Sequence, residues 1–86
     1  MNLGIIGAGY VGLTTGICLA TQDHQIIVYD VDSDKIKKIN ESTLPFFEKG
    51  LEEKLKLTIK NNSLKTANNL EELVKNTDGC FICVGT

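Results

Sequence analysis

Short apolar runs alternate along this chain with segments whose apolar residues recur at helical spacing. Met1 to Ile6 is short and apolar, Gln25 to Tyr29 is apolar and rich in β-branched residues, and Cys80 to Val84 is continuously apolar. Runs of this kind are typical of strands buried in a parallel sheet. Leu64 to Ala67 is shorter, and we expect it to be the third of four strands.

Two helices are predicted in the first half of the chain. The second begins after Asp32, whose side chain can cap its N-terminus, and runs to about Glu41, burying Ile36 and Ile39. The first runs from Tyr10 to about Thr21. Its predicted apolar face comprises Val11, Leu13, Thr14 or Thr15, Ile17, Cys18 and Ala20.

Two further helices are predicted after a loop around Pro45. The third runs from about Glu48 to Lys60 and ends at Asn61-Asn62. The fourth begins at Asn69, which forms a capping-box-like pattern with Glu72, and is broken by the residues from Asn76 to Gly79. The apolar faces are Leu51, Leu55 and Ile59 in the third helix, and Leu70, Leu73 and Val74 in the fourth.

This alternation of strands and helices predicts an α/β fold with a Rossmann-like, doubly wound parallel sheet. Right-handed crossovers place the strands in the order 3-2-1-4. The chain changes direction across the sheet between the first and fourth strands. We therefore expect Gly7, after the first strand, and Gly85-Thr86, after the fourth, to flank a ligand crevice.

The first strand ends in the pattern G-x-G-x-x-G, formed by Gly7, Gly9 and Gly12. Gly7 permits a tight turn, Gly9 lets the backbone approach a pyrophosphate, and Gly12 lets the new helix press against the sheet. The N–H groups around Tyr10 and Val11 and the positive end of the helix dipole favour an anion there. Because a strand precedes the motif and a helix follows it, the pattern predicts a dinucleotide site.

Asp30, at the end of the second strand, indicates which dinucleotide binds. A carboxylate about 20 residues past the glycines is placed to accept a hydrogen bond from a ribose 2′-hydroxyl, and it would repel the extra phosphate of NADP. The chain contains no arginine to bind such a phosphate. We therefore predict NAD. Lys35 is assigned to the ribose diol, with a solvated surface lysine as the alternative.

Cys80 and Cys83 have the C-x-x-C spacing of redox and zinc sites. Residues three apart on a strand point to opposite faces, so these sulfur atoms should not converge, and no metal site is predicted. We interpret both, and Cys18, as buried structural thiols. His24 is interpreted as a surface turn residue.

Composition and charge argue against several classes of function. Nine lysines against eleven acidic residues leave a formal net charge of −2, which offers no electrostatic basis for binding nucleic acid or an anionic membrane. No apolar run approaches the roughly 20 residues that span a bilayer, and the N-terminus lacks the basic start of a signal peptide. Three cysteines, an odd number, favour reduced thiols and a cytoplasmic setting.

Four segments together resemble the N-terminal domain of the UDP-glucose/GDP-mannose dehydrogenase family. They are Gly7 to Leu13, Asp30 with Lys35-Ile36, Pro45 to Leu51, and Cys83 to Thr86. The chain departs from the family pattern at Lys49, where the family usually has proline, and at Asn69, where it often has aspartate.

The resemblance implies oxidation of the C6 hydroxyl of a nucleotide sugar to a carboxylate with two NAD, most readily UDP-glucose to UDP-glucuronate. It also implies a parent protein that forms a homodimer or higher oligomer. No residue here matches the family's catalytic cysteine motif, so no catalytic residue is predicted. The cofactor-binding residues that it implies are Gly7, Gly9, Tyr10, Val11, Gly12, Asp30, Lys35 and Thr86.

We expect residues 1–86 to be a truncated Rossmann domain, without the central dimerisation domain and the C-terminal sugar-nucleotide domain of the family. Its fourth strand would lie at an edge with one apolar face uncovered, which predicts weak stability and association when the chain is studied alone. Two alternatives stay open. One is a dehydrogenase of the 3-hydroxyacyl-CoA or 6-phosphogluconate type, and the other is a non-catalytic NAD-binding module.

Overall fold

The computed structural model describes residues 1–46 and 48–83, which form one four-stranded parallel sheet. The strands are β1 (Asn2–Ile6), β2 (Gln25–Tyr29), β3 (Leu64–Thr66) and β4 (Gly79–Ile82). They lie in the order β3-β2-β1-β4, and each neighbouring pair is parallel. The predicted α/β class and the strand order 3-2-1-4 are therefore confirmed.

In the described residues, four helices connect these strands at nearly the predicted positions. They are α1 (Tyr10–Ala20), α2 (Ser33–Asn40), α3 (Leu51–Lys60) and α4 (Leu70–Lys75). Asp32 caps α2 by accepting a hydrogen bond from the Asp34 N–H, and Asn69 caps α4 by accepting one from the Glu72 N–H. Helix α3 begins at Leu51 rather than Glu48. Among the described residues, no helix combines the length and the apolar character needed to cross a membrane.

The larger core lies between one face of the sheet and helices α1, α2 and α3. Ile5 of β1, Leu13 of α1, Ile39 of α2 and Leu55 of α3 are fully buried in it. A smaller cluster on the other face joins Leu73 of α4 to Ile27 and Ala67. The two central strands, β1 and β2, are thus covered on both sides, as a doubly wound fold requires.

The predicted apolar face of α1 is wrong for Val11 and Cys18, which are exposed. The buried residues of α1 are Gly12, Leu13, Gly16, Ile17 and Ala20. At 3.6 residues per turn this set forms one stripe, and Val11 and Cys18 lie on the opposite side of the helix. Gly12 and Gly16 form part of the contact with the sheet. The apolar face predicted from the sequence consisted of larger residues.

Predicted burial is also wrong for residues of β4 and α4. Cys80 is exposed and Cys83 half-buried, so the prediction of buried thiols is wrong for Cys80, because β4 lies at an edge of the sheet that the described residues form. Ile82 is 74% exposed on the same strand. In α4 only Leu73 is buried. Leu70 and Val74 remain 44% and 56% exposed.

Candidate dinucleotide-binding site

The chain turns sharply from β1 into α1 at Gly7. Its φ of 106° lies in the region that side-chain-bearing residues rarely adopt, so the tight turn requires glycine. The Gly7 N–H donates to the Tyr29 carbonyl oxygen at 2.8 Å, and Ala8 is fully buried. The turn is therefore fixed to the end of β2 before the helix begins.

Gly12 lies where the first turn of α1 presses against β1. A Cβ atom at this position would overlap the Gly7 carbonyl oxygen and come within 3.0 Å of the Cys83 Cβ and 3.2 Å of the Ile5 Cγ2. Cys83 in turn donates its N–H to the Ile6 carbonyl oxygen at 2.7 Å. The end of β4 is thus brought against the glycine turn, at the predicted crevice. Gly85 and Thr86, assigned to the same crevice, lie outside the described residues.

The N-terminus of α1 is suited to an anion. Gly9 is its N-cap and offers no side-chain cap, and the first helical bond runs from the Leu13 N–H to the Gly9 carbonyl oxygen at 2.9 Å. The N–H groups of Tyr10, Val11 and Gly12 precede that bond. Among the four helices of the described ranges, α1 alone has neither a side-chain cap nor an acidic residue in its first turn.

Space for a ligand lies directly over this helix end. A Cβ atom built on Gly9 would meet nothing within 4 Å, in contrast to the crowded position of Gly12. Gly9 and Gly12 therefore have different roles. Gly12 is required by packing within the protein, and Gly9 leaves room for an approaching group such as a pyrophosphate.

Asp30 is half-buried at the carboxyl end of β2. Its Oδ2 accepts a hydrogen bond from the Ala8 N–H at 2.7 Å, and its Oδ1 accepts one from the Asp32 N–H at 2.7 Å. The side chain therefore joins the glycine turn to the loop after β2. A carboxylate has about four acceptor positions, so it can still accept bonds from a ribose diol. Sequence reasoning missed these backbone contacts, because no spacing rule identifies Ala8 as a partner.

A cavity of about 260 Å³ extends from Asp30 toward the carboxyl end of β3. Its mixture of aliphatic and small polar side chains suits a flat heterocycle such as adenine. The lining residues are Tyr29, Asp30, Val31, Ser33, Ile36, Ala67 and Asn68. The Val31 side chain, which lines the cavity, is 89% exposed. In the sequence, the signal for this role is its position directly after the strand-terminal Asp30. Lys35 is half-buried in the first turn of α2 but is not among the lining residues.

Tyr10, the first residue of α1, is contacted by the connection between α2 and α3. Its ring lies against that of Phe46, with centroids 5.3 Å apart and planes inclined at 60°. A hydrogen bond with the Glu48 carboxylate, then that group's negative charge and partial desolvation, raise the pKa of Tyr10 above its ordinary value of 10.0. No pattern in the sequence indicated this contact.

Among the described residues, no three His, Cys, Asp or Glu side chains are grouped so as to hold a metal ion. His24 lies in the turn between α1 and β2, but it is half-buried rather than fully on the surface.

The geometry of the site brings together a pyrophosphate position at α1, a diol acceptor at Asp30 and a cavity for a base. This is the arrangement that a dinucleotide needs.

Comparison with known proteins agrees with this assignment. The family described as "UDP-glucose/GDP-mannose dehydrogenase family, NAD binding domain" matches residues 1–86. The UDP-glucose 6-dehydrogenase of Rickettsia typhi (strain ATCC VR-144 / Wilmington) is 41% identical over 86 residues, which are 100% of this chain and 20% of that protein. The GDP-mannose 6-dehydrogenase of Pseudomonas syringae pv. syringae is 38% identical with the same coverage.

Two solved structures are similar over nearly the whole chain. One is a ternary complex of GDP-mannose dehydrogenase from Pseudomonas aeruginosa, with a TM-score of 0.96, 38% identity, and coverage of 100% of this chain and 20% of that one. The other is a UDP-glucose dehydrogenase from the hyperthermophilic archaeon Pyrobaculum islandicum, with a TM-score of 0.95, 34% identity, and coverage of 99% and 20%. The chain therefore spans about a fifth of the length of these relatives.

Proposed function

Because this chain belongs to the UDP-glucose/GDP-mannose dehydrogenase family, as its NAD-binding domain, we propose that it holds NAD for the oxidation of a nucleotide sugar at C6. UDP-glucose is the proposed substrate, since a relative at 41% identity is a UDP-glucose 6-dehydrogenase, against 38% for a GDP-mannose 6-dehydrogenase. The observation that carries the proposal is the N-terminus of α1, which lacks both a cap and an acid and lies beside the Asp30 carboxylate.

Each part of the site has a proposed role toward NAD. The backbone at the start of α1 holds the pyrophosphate, Asp30 and Lys35 bind the adenosine ribose, and Thr86 contributes to the crevice. The pyrophosphate residues are Gly7, Gly9, Tyr10, Val11 and Gly12. The cavity walled by Val31, Ile36 and Asn68 receives the adenine.

Bound NAD supplies the hydride acceptor for oxidation of the alcohol. The residues of this chain bind and orient the cofactor, and their second task is to select it. The Asp30 carboxylate would lie against the extra phosphate of NADP, and the chain has no arginine to offset that repulsion. We therefore propose clear discrimination in favour of NAD.

The remaining steps are assigned to residues outside this chain. We propose that residues 1–86 form the N-terminal part of a longer protein that also contains a dimerisation domain and a sugar-nucleotide domain. Cys18, Cys80 and Cys83 are not proposed as catalytic. A homodimeric or larger parent and a cytoplasmic setting belong to the same proposal. The family match over the whole chain removes the 3-hydroxyacyl-CoA and 6-phosphogluconate alternatives.

The proposal is tested first by binding and then by turnover. Titration of the full-length gene product with NAD and with NADP should show saturable binding of NAD and much weaker binding of NADP. The full-length gene product should then reduce NAD in the presence of UDP-glucose, with UDP-N-acetylmannosamine and GDP-mannose as the competing candidates. Absence of NAD binding would reject the proposal. Binding without oxidation of any of the three sugars would favour the non-catalytic module.

A further inference from the structure

Two side chains from the connection between α2 and α3 (residues 41–46 and 48–50) lie beside the first residue of α1. The Phe46 ring lies 5.3 Å from that of Tyr10. Glu48 lines the same groove as Tyr10, and its carboxylate raises the pKa of the phenol. Tyr10 remains 55% exposed, so these contacts cover one side of the ring only.

The connection that presents these side chains is itself anchored at both ends. Leu44 is 8% exposed in the larger core, and its N–H donates to the Glu52 Oε1 at 3.3 Å. On the other side of the contact, the Leu51 N–H donates to the Glu48 carbonyl oxygen at 3.3 Å. Phe46 and Glu48 are therefore held by a segment fixed to the core and to α3.

Tyr10 lies at a point where the backbone has few local restraints on its conformation. It follows the glycine-rich turn and opens a helix without a side-chain cap, and glycine loses more conformational freedom on folding than any other residue. The Tyr10 N–H is one of the donors at the pyrophosphate position. A side chain fixed at this residue reduces the freedom that a ligand would otherwise have to remove on binding.

We propose that Phe46 and Glu48 are positioning residues for the dinucleotide, which act through the Tyr10 side chain to hold the first turn of α1 ready for the pyrophosphate. This inference rests on the proposed NAD-binding function. Other charged or titratable groups line the same groove between α1 and α3, namely Cys18, Lys49 and Lys54. A direct electrostatic effect of Glu48 on NAD must therefore be separated from an effect through Tyr10.

A double-mutant cycle makes this separation. Tyr10→Phe removes the phenol hydroxyl but leaves the backbone N–H and the ring, and Glu48→Gln removes the charge at constant size. Each variant should weaken NAD binding by about 3- to 10-fold, the range expected for one lost hydrogen bond. The double variant should bind NAD no more weakly than either single variant, because both changes remove the same contact.

A second measurement needs no cofactor. The difference in phenolate absorbance between the wild type and Tyr10→Phe, followed against pH, isolates the titration of Tyr10. In the wild type it should lie above the ordinary value of 10.0, and in Glu48→Gln it should move down toward that value. Glu71→Gln, which alters an exposed carboxylate in the first turn of α4, is the matched control and should change neither NAD affinity nor this titration.

The possible outcomes decide between the two proposals. Three results would overturn the positioning role while leaving the proposed NAD binding intact. They are an equal effect of Glu48→Gln in the wild type and in Tyr10→Phe, NAD binding by the variants that is unchanged or stronger, and a Tyr10 titration that Glu48→Gln does not move. Failure of the wild type to bind NAD would overturn both. Phe46→Leu supplies an independent variant. It removes the ring contact with Tyr10 while keeping an apolar side chain against the larger core, and it should also weaken NAD binding.

Discussion

The Asp30 carboxylate accepts a hydrogen bond from the Ala8 N–H at 2.7 Å, although 22 positions separate the two residues along the chain. The same carboxylate holds the Asp32 N–H, also at 2.7 Å. The residue assigned to the ribose diol therefore also joins the glycine turn to the loop after β2. Substitutions of Asp30 should then affect the protein without NAD as well as the binding of NAD.

Asp30→Ala should lower the free energy of unfolding in the absence of NAD by about 1–3 kcal/mol, because two backbone N–H groups lose a charged acceptor. It should also weaken NAD binding by about 1–3 kcal/mol through loss of the bond to the ribose. Urea denaturation and equilibrium titration measure the two effects separately.

The control for Asp30 is Asp34→Asn, which changes an exposed carboxylate in the first turn of α2. It should lower stability by no more than about 0.3–1 kcal/mol through the helix dipole, and it should leave NAD affinity unchanged. If Asp30→Ala weakened NAD binding but left the cofactor-free protein as stable as the wild type, the backbone contacts of Asp30 would have no energetic importance.

Gly9→Ala and Gly12→Ala should separate ligand binding from folding. The Gly9 backbone, with φ of −80°, accommodates alanine, and its Cβ would meet no protein atom within 4 Å, so stability should stay within about 0.5 kcal/mol. NAD affinity should nevertheless fall, because the methyl group occupies the approach to the backbone. Gly12→Ala should lower stability by about 1–3 kcal/mol through overlap with the Gly7 carbonyl oxygen, and NAD binding should fall with it.

Thermal unfolding and NAD titration of both glycine variants provide the measurement. Equal losses of stability in Gly9→Ala and Gly12→Ala would contradict the distinct roles assigned to the two positions. A Gly9→Ala variant that binds NAD normally would place the pyrophosphate elsewhere.

The sheet order could be predicted from sequence because each strand is a local apolar run and crossover handedness leaves one arrangement. The apolar face of α1 was predicted wrongly, since Val11 and Cys18 recur at helical spacing as regularly as Leu13 and Ile17. The buried stripe is the one that contains Gly12, the residue predicted to press against the sheet. Contacts between distant segments, such as Asp30 with Ala8, depend on three-dimensional placement that no local pattern contains.

Stability should fall at high pH through Tyr10. Its pKa in the folded protein lies above the ordinary value of 10.0, because the phenol is hydrogen-bonded to the Glu48 carboxylate and lies beside its charge. The folded state then keeps a proton that the unfolded state releases, so this contribution is complete below pH 10.0 and is lost as pH rises through the raised pKa. Since the phenol is largely exposed, the effect should be small.

Urea midpoints measured against pH for the wild type and Tyr10→Phe test this contribution. The difference between the two proteins should shrink as pH rises above 10.0, and Glu48→Gln should reduce it throughout. A difference that grew with pH would have the wrong sign for a phenol stabilised in its neutral form.

Substitution of Lys35 distinguishes a lysine that binds the ribose diol from a solvated surface lysine. Lys35 is half-buried in the first turn of α2, whereas Lys37, two residues later on the same helix, is exposed and serves as the matched control. If the Lys35 ammonium binds the diol, Lys35→Met should weaken NAD binding by about 1–3 kcal/mol through loss of a charged hydrogen bond, and Lys37→Met should leave it unchanged. Because methionine retains much of the apolar stem of lysine, each substitution mainly removes the charge. Equal NAD affinities for the two variants, measured at the same ionic strength, would assign Lys35 to the solvated surface and leave Asp30 as the acceptor that selects the ribose.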